Sequence, residues 1–218
     1  MAPARSNSSC DQLPDIIAPD LPFRAWLRRH CGGIEDSGGH HIRRILLERF
    51  DTGPLNSFTV VSQLDLLEAV CAGHGTWPMS VQRELRAGVR SKPALAAALQ
   101  ATFLGVPEVL EHPTDLLEAE LLRLRLAGSS LGRHRNRGEA EAIFLARRRR
   151  GVVVSEDRDA RVLATAELGA GHVIGTPYLL RRAVRMRLIG PDEAWEIYRA
   201  MLTAGRHLEP VDPEGFKG

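Results

Sequence analysis

Cysteine and long apolar runs are scarce in this chain of 218 residues. The three cysteines, Cys10, Cys31 and Cys71, are too few and too scattered for a disulfide framework. No stretch approaches the roughly 20 apolar residues of a membrane span, and no N-terminal segment has the apolar core of a signal peptide. These absences argue against a disulfide-stapled secreted domain and against membrane contact, so we expect a soluble, cytoplasmic protein.

Lysine is nearly absent as well, since Lys92 and Lys217 are the only two in the chain. The formal net charge of +2 hides an uneven distribution of arginine. Residues 131–187 hold 13 Arg against 6 acidic residues, a net of +7, whereas residues 188–218 hold 3 basic against 6 acidic residues, a net of −3. A concentrated basic segment indicates a surface that binds polyanions, although solvated arginine-rich helix faces would give the same pattern.

Composition divides the chain into three segments. Residues 1–41 are rich in Pro, Ser and Gly and close on GGIEDSGGHH, which predicts an N-terminal tail or linker, disordered in part. Residues 42–208 carry the periodic apolar pattern of one folded domain, and residues 209–218 are predicted as a C-terminal tail.

Short apolar runs alternate with helical patterns through the central segment. RRILLERF, GTWPMS, GVVVS and HVIGT are typical of strands, and helices are predicted between them. The segment VPEVLEH favours a further strand, which Pro107 would confine to a sheet edge. Strands that alternate with helices predict an α/β fold whose parallel sheet is covered on both faces.

Four acidic residues follow predicted strands or open predicted helices. Asp51 directly follows RRILLERF and Asp157 follows GVVVS, while Glu84 and Glu139 lie near helix starts. Ligands of parallel α/β sheets bind beyond the carboxyl ends of the strands, and clustered carboxylates need a cation such as Mg²⁺ or Mn²⁺. Each residue also has a structural explanation, because Asp51 could close a turn and Glu84 could stabilise a helix N-terminus.

Glu139 and Glu141 compete for the same role in the segment GEAEAI. Two residues apart on a helix, they point about 200° away from each other and cannot both enter one pocket. Glu139 is nearer the helix N-terminus and therefore nearer the strand ends. We expect Glu139 to be the ligand and Glu141 to be a supporting or solvated residue.

Taken together, six segments resemble a PIN domain: ILLERFDTGPLNSF, QLDLLEAV, WPMSVQREL, GEAEAIFLARR, VVVSEDRDARVLA and HVIGTPYLLRRAVRMRLI. They are most similar to the toxins of bacterial type II toxin–antitoxin systems, over roughly residues 42–208. The resemblance implies a three-layer α/β/α fold with a central parallel sheet. It also implies an endoribonuclease that depends on Mg²⁺ or Mn²⁺, with Asp51, Glu84, Glu139 and Asp157 as the catalytic acids.

On this resemblance Asp51, Glu139 and Asp157 would ligate one or two metal ions. Residues expected to contact the RNA substrate are Asn56, Ser155, Arg135, Arg137 and Arg158. A homodimer and an inhibitory antitoxin protein are expected as further partners. Related toxins often carry two adjacent aspartates where this chain has Glu156 and Asp157.

Two other function classes fit parts of the pattern. A phosphotransferase that forms an aspartyl-phosphate on Asp51 is disfavoured, because one such class needs a second Asp where this chain has Gly53. A non-catalytic PIN-like module that binds nucleic acid or a partner protein remains the alternative to the ribonuclease.

Overall fold

A computed structural model describes residues 47–127 and 136–217. The predicted N-terminal tail and Arg135 lie outside these residues. Four short strands form one parallel sheet: β1 (Glu48–Phe50), β2 (Gly75–Thr76), β3 (Val152–Val154) and β4 (Val173–Ile174). Their order is β2-β1-β3-β4, which places β1 and β3 at the centre of the sheet.

Nine α-helices connect and cover these strands in the described parts of the chain. They are α1 (Thr52–Val60), α2 (Leu64–Cys71), α3 (Met79–Gly88), α4 (Leu95–Gln100), α5 (Pro113–Ala127), α6 (Arg137–Arg149), α7 (Arg158–Leu168), α8 (Thr176–Arg185) and α9 (Pro191–Thr203). One short 3₁₀ helix, Ala170–His172, lies between α7 and β4, and another, Pro213–Phe216, comes after α9. Parallel neighbours cannot be joined by a tight hairpin, so helices separate every pair of consecutive strands.

Two apolar cores lie on opposite faces of the sheet. Successive side chains of a strand point to opposite faces, and β3 shows this directly. Val154 packs with Phe50 and with buried residues of α1, α2, α3, α4, α8 and α9. Val153 packs instead with buried residues of α5, α6 and α7. The predicted three-layer α/β/α fold with a central parallel sheet is therefore confirmed.

The strand predicted at VPEVLEH is wrong. Its backbone pairing is a single parallel bridge to Pro78, just after β2, in which Glu108 N–H donates to Trp77 O at 2.8 Å and Met79 N–H donates to Glu108 O at 2.8 Å. The partner segment enters helix α3 at Met79, so the pairing cannot continue into a ladder.

The last described residues pack against α9. Phe216 is fully buried, and its ring centroid lies 6.3 Å from that of Trp195 and 5.9 Å from that of Tyr198. This aromatic contact brings the segment after α9 back onto the domain.

A buried arginine lies within the central strand. Arg49 of β1 is fully buried, and its Nε lies 3.5 Å from Glu108 Oε1. Glu108 also accepts from Thr76 Oγ1 at 3.2 Å and pairs with Arg149 at 3.1 Å. The guanidinium passes so close to Gly151 that a Cβ there would meet Arg49 Nη1 at 1.9 Å. Glu108 thus neutralises a charge that has no access to water.

We expect Glu108→Ala to lower the free energy of unfolding by roughly 3 to 5 kcal/mol, because it leaves the buried Arg49 charge unpaired. Urea denaturation followed by circular dichroism measures the change. Glu214→Ala, which removes only the exposed pair with Lys217, is the control and should have little effect. Equal stability of both variants would contradict this role of Glu108.

Candidate metal centre

Asp51 lies at the point where β1 ends and α1 begins. Its carboxylate is the N-cap of α1, and Oδ1 accepts from Thr52 N–H at 2.5 Å. Oδ2 accepts from the Ser155 hydroxyl at 3.1 Å, just beyond the end of β3. The residue is only 3% exposed. The carboxyl ends of the two central strands therefore hold one buried carboxylate between them.

Glu84 reaches the same place from α3. Its Oε2 accepts from Thr52 Oγ1 at 2.5 Å, and its Oε1 accepts from Gly138 N–H at 3.1 Å. The approach to α6 requires glycine, since a Cβ at Gly138 would meet Val81 Cγ2 at 2.9 Å and both Glu84 carboxylate oxygens at 3.1 Å. Glu84 thus connects the starts of α1 and α6.

Glu139 enters the site from the first turn of α6. Asp51, Glu84 and Glu139 each contribute one carboxylate oxygen to a group whose members lie within 4.8 Å of one another. We refer to these three residues as the carboxylate cluster. Glu139 Oε2 is buried and has no hydrogen-bond partner among the described residues. A buried, partnerless carboxylate oxygen is costly unless a cation or proton satisfies it.

Burial raises the pKa of all three acids, and repulsion from other acids of the carboxylate cluster adds to the effect for Asp51 and Glu139. Burial raises the pKa of Asp51 well above its ordinary value, and the nearby charges of Glu139 and Glu84 raise it further. Burial is also the main cause that raises the pKa of Glu139 to about 7, with contributions from Glu84 and Asp157. The pKa of Glu84 is raised by burial as well. Buried carboxylates that repel one another provide hard oxygen donors, which fit a divalent cation such as Mg²⁺ or Mn²⁺.

Asp157 lies beside the carboxylate cluster rather than within it. It is the N-cap of α7, where Oδ1 accepts from Ala160 N–H at 2.8 Å, and it is exposed. Its charge is nonetheless close enough to raise the pKa of Glu139. Asp51, Glu139 and Asp157 also line one cleft of about 1050 Å³.

Comparison with known protein families gives one match to this chain. The family described as DUF3368: PIN domain matches residues 50–211, which include every acid of the carboxylate cluster and Asp157. The chain belongs to the PIN-domain family. No curated protein and no solved structure matches it.

Membership confirms the resemblance to PIN domains, and it gives the chain a nuclease-type fold. PIN domains are usually metal-dependent nucleases, which supports a hydrolase in general, and the carboxylate cluster could bind a divalent metal. None of the helices in the described parts of the chain combines the length and apolar character that a bilayer-crossing segment requires.

The residues predicted to contact substrate are placed differently from one another in this PIN domain. Asn56 and Arg158 both line the cleft, and Asn56 Oδ1 is buried without a partner among the described residues. Ser155 is buried, donates to Asp51 and accepts from Asp157 N–H at 3.3 Å. Arg137 instead pairs with Glu141 at 2.8 Å and does not line the cleft.

Glu141 links the two helices that carry acids of the carboxylate cluster. It is 5% exposed, and besides Arg137 it accepts from the Ser80 hydroxyl at 2.6 Å. These contacts connect α3 to α6, the two helices that carry Glu84 and Glu139.

Arg206 is a site residue that sequence reasoning missed. It follows α9, and its Nη2 donates to Glu156 Oε2 at 3.0 Å and to Gly53 O at 3.3 Å, while Nε donates to Ser57 Oγ at 2.9 Å. The other oxygen of Glu156 accepts from Thr176 Oγ1 at 2.5 Å. The acid next to Asp157 is therefore held by a cation from the protein itself, and Arg206 joins α1 to the loop before α7.

The raised pKa of Glu139 predicts a pH-dependent stability in the presence of a chelator. Because the folded state raises the pKa from 4.5 to about 7, it binds this proton more tightly than the unfolded state does. The stabilisation is complete below about pH 4.5 and is lost as the pH rises through about 7. Asp51 and Glu84 shift in the same direction.

We therefore expect wild-type protein to gain stability relative to Glu139→Gln as the pH falls from 8.5 to 5.5, by on the order of 1 to 3 kcal/mol. Urea denaturation in EDTA at four pH values measures the difference. Added Mn²⁺ should stabilise the wild type at pH 8.5. It should therefore make the pH dependence of the free energy of unfolding more similar in wild type and Glu139→Gln. A wild type that loses stability relative to the variant on acidification would contradict the assignment.

Arg206→Met should lower the free energy of unfolding by roughly 3 kcal/mol, because Glu156 has a side chain that is only 6% exposed and would lose its cation. The same change should weaken Mn²⁺ binding, since the two loops that carry Asp51 and Asp157 lose their connection. Calorimetric titration with Mn²⁺ and urea denaturation measure the two effects.

Arg199→Met, on the exposed face of α9, is the matched control and should change neither quantity. Adding Glu156→Gln to Arg206→Met should recover much of the stability, because the buried charge is removed. A double variant as unstable as Arg206→Met alone would show that the pair is not the source of the effect.

Proposed function

We propose that this PIN domain is an endoribonuclease that uses Mg²⁺ or Mn²⁺ to hydrolyse phosphodiester bonds in RNA. The observation that carries the proposal is the carboxylate cluster, in which the buried Glu139 Oε2 has no partner among the described residues. Family membership supports nuclease chemistry at this position. The choice of RNA as the substrate rests on the toxin-like sequence motifs and on the net charge of +7 on residues 131–187.

Asp51, Glu84 and Glu139 would hold the cation, and Asp157 would contribute from the exposed side of the cleft. A divalent cation in such a site lowers the pKa of an attacking water and offsets the charge that builds on the scissile phosphate. The protein contributes the orientation of its ligands. The Ser155 hydroxyl fixes Asp51 Oδ2, and the Thr52 hydroxyl fixes Glu84 Oε2.

Arg158 is suited to guide the RNA backbone toward the carboxylate cluster. It lies in the first turn of α7, is exposed and lines the cleft without an ion-pair partner among the described residues. A guanidinium can bind two phosphate oxygens at once. Binding through such contacts weakens as salt rises, because counterions compete for the phosphates.

The toxin role, an antitoxin partner, the homodimer and a cytoplasmic location stay predictions from the sequence. An inhibitor that neutralises the carboxylate cluster would fit a toxin, since the cluster concentrates negative charge at the cleft.

We expect purified protein to cleave a labelled single-stranded RNA pool when Mn²⁺ or Mg²⁺ is present and to stop when EDTA is added. Asp51→Asn should reduce the rate by at least about 100-fold, because losing even an outer-shell contact of a metal site costs 10- to 100-fold. Denaturing gels measure the rate, and single-stranded DNA of the same sequence tests the preference for RNA.

Asp192→Asn, the same substitution at an exposed position in the first turn of α9, is the control and should keep the wild-type rate. Cleavage that persists in Asp51→Asn would contradict the assignment of the site. A folded, partner-free protein that binds RNA without cleaving it would support the non-catalytic PIN-like module instead.

A further inference from the structure

The cleft extends well beyond the carboxylate cluster. Its volume of about 1050 Å³ is at the upper end of the range of small-molecule sites, roughly 300 to 1,000 Å³. A cation with a few waters, each about 30 Å³, would fill only a small part of it. The cleft follows α7 from Asp157 to Thr165, a distance of about 12 Å along a helix axis. Most of the cleft therefore has no role in holding a metal.

The part of the cleft beside α7 has an apolar patch among polar side chains. The apolar residues are Val162, Ala170, Val173, Leu208 and Pro210, and we call the space between them the trough. Val162 is 65% exposed although it lies on a helix whose opposite face is packed in a core. Exposed apolar surface next to a charged site is typical of ligand-binding grooves.

Two ion pairs fix the width of the trough. Arg161 of α7 pairs with Glu209 at 2.7 Å, and Arg206 pairs with Glu156 at 3.0 Å. The hydroxyl of Tyr198 donates to Glu209 O at 2.9 Å and holds the same segment from the side of α9. Because both walls are connected in this way, the trough exists before any ligand arrives.

The polar groups around the trough match a nucleotide. The planar guanidinium of Arg161 and the exposed ring of His207 line the cleft together with the apolar residues. Single-stranded RNA is commonly recognised by stacking its bases on Arg planes, His rings and apolar side chains. Arg158, at the end of the trough nearest Asp157, supplies a positive charge for the attached phosphate.

We propose that the trough binds the nucleobase next to the phosphate that the carboxylate cluster acts on. The proposal rests on the proposed function and extends it, because it names the residues that would give the nuclease a base preference. Val162 and His207 would contact the base, and Arg158 would contact its phosphate. The ligand class is a nucleotide of single-stranded RNA with its base unstacked.

Binding of nucleoside 5′-monophosphates tests the trough without requiring cleavage. Titrations of wild-type protein with AMP, CMP, GMP and UMP in Mg²⁺, followed by NMR, are compared with ribose 5-phosphate, which lacks a base. We expect at least one nucleotide to bind about tenfold more tightly than ribose 5-phosphate, the size of a single stacking contact. Val162→Asp should abolish most of this advantage, because it places a charge in the apolar wall.

Val106→Asp is the matched control, since Val106 is 87% exposed and does not line the cleft. It should retain the wild-type preference. Equal binding of ribose 5-phosphate and all four nucleotides, absence of nucleotide binding, or an unchanged preference in Val162→Asp would each overturn the proposal.

The same variants in the RNA cleavage assay separate this proposal from the proposed function. Nucleotide selectivity that depends on Val162 in a protein that does not cleave RNA would refute the nuclease and support the trough. RNA cleavage by a wild type that shows no nucleotide selectivity would support the nuclease and refute the trough.

Discussion

Mutual repulsion among buried carboxylates is the constraint on which this structure depends. Asp51, Glu84 and Glu139 come from three different elements, yet each places an oxygen within 4.8 Å of the others. Such an arrangement destabilises a fold unless the surrounding elements hold the acids in place. Hydrogen bonds from Thr52, Ser155 and Gly138 do so, and together they reach both carboxylate oxygens of Asp51 and both of Glu84.

Helix N-termini supply a second compensation. Asp51 and Asp157 are the N-caps of α1 and α7, and Glu139 lies in the first turn of α6. The N-terminus of a helix carries a partial positive charge, which stabilises nearby anions. α1 and α7 begin at this cleft because β1 and β3 end there, whereas α6 begins there and leads into the start of β3. The topology of the sheet thus creates the electrostatic environment of the site.

Local sequence signals predicted most of the strands and helices. GVVVS indicated β3, and the positions of Asp51 and Glu139 relative to strand ends and helix starts predicted that they would meet. The segment at Glu108 was misassigned, because a single bridge has the same local pattern as a strand. Local sequence does not decide between a supporting and a solvated position for Glu141, because its hydrogen-bond partner Ser80 lies 61 residues earlier in the chain.

Contacts made through the tertiary fold could not be predicted from neighbouring residues. Arg206 lies 50 residues after Glu156, and nothing in the pattern around either residue indicates the pair. The buried position of Arg49 is equally hidden, since an arginine in a strand pattern usually marks a solvent-facing residue. Both cases involve a charge whose partner comes from a distant element.

The position of Arg206 in the chain has a consequence for synthesis on the ribosome. Residues 206–210 form one wall of the cleft, and Phe216 packs this segment against α9. A nascent chain whose carboxylate cluster has already left the exit tunnel therefore lacks this wall of the cleft until residues 206–210 emerge as well. The order of translation therefore delays completion of the cleft until after every acid of the carboxylate cluster has been synthesised.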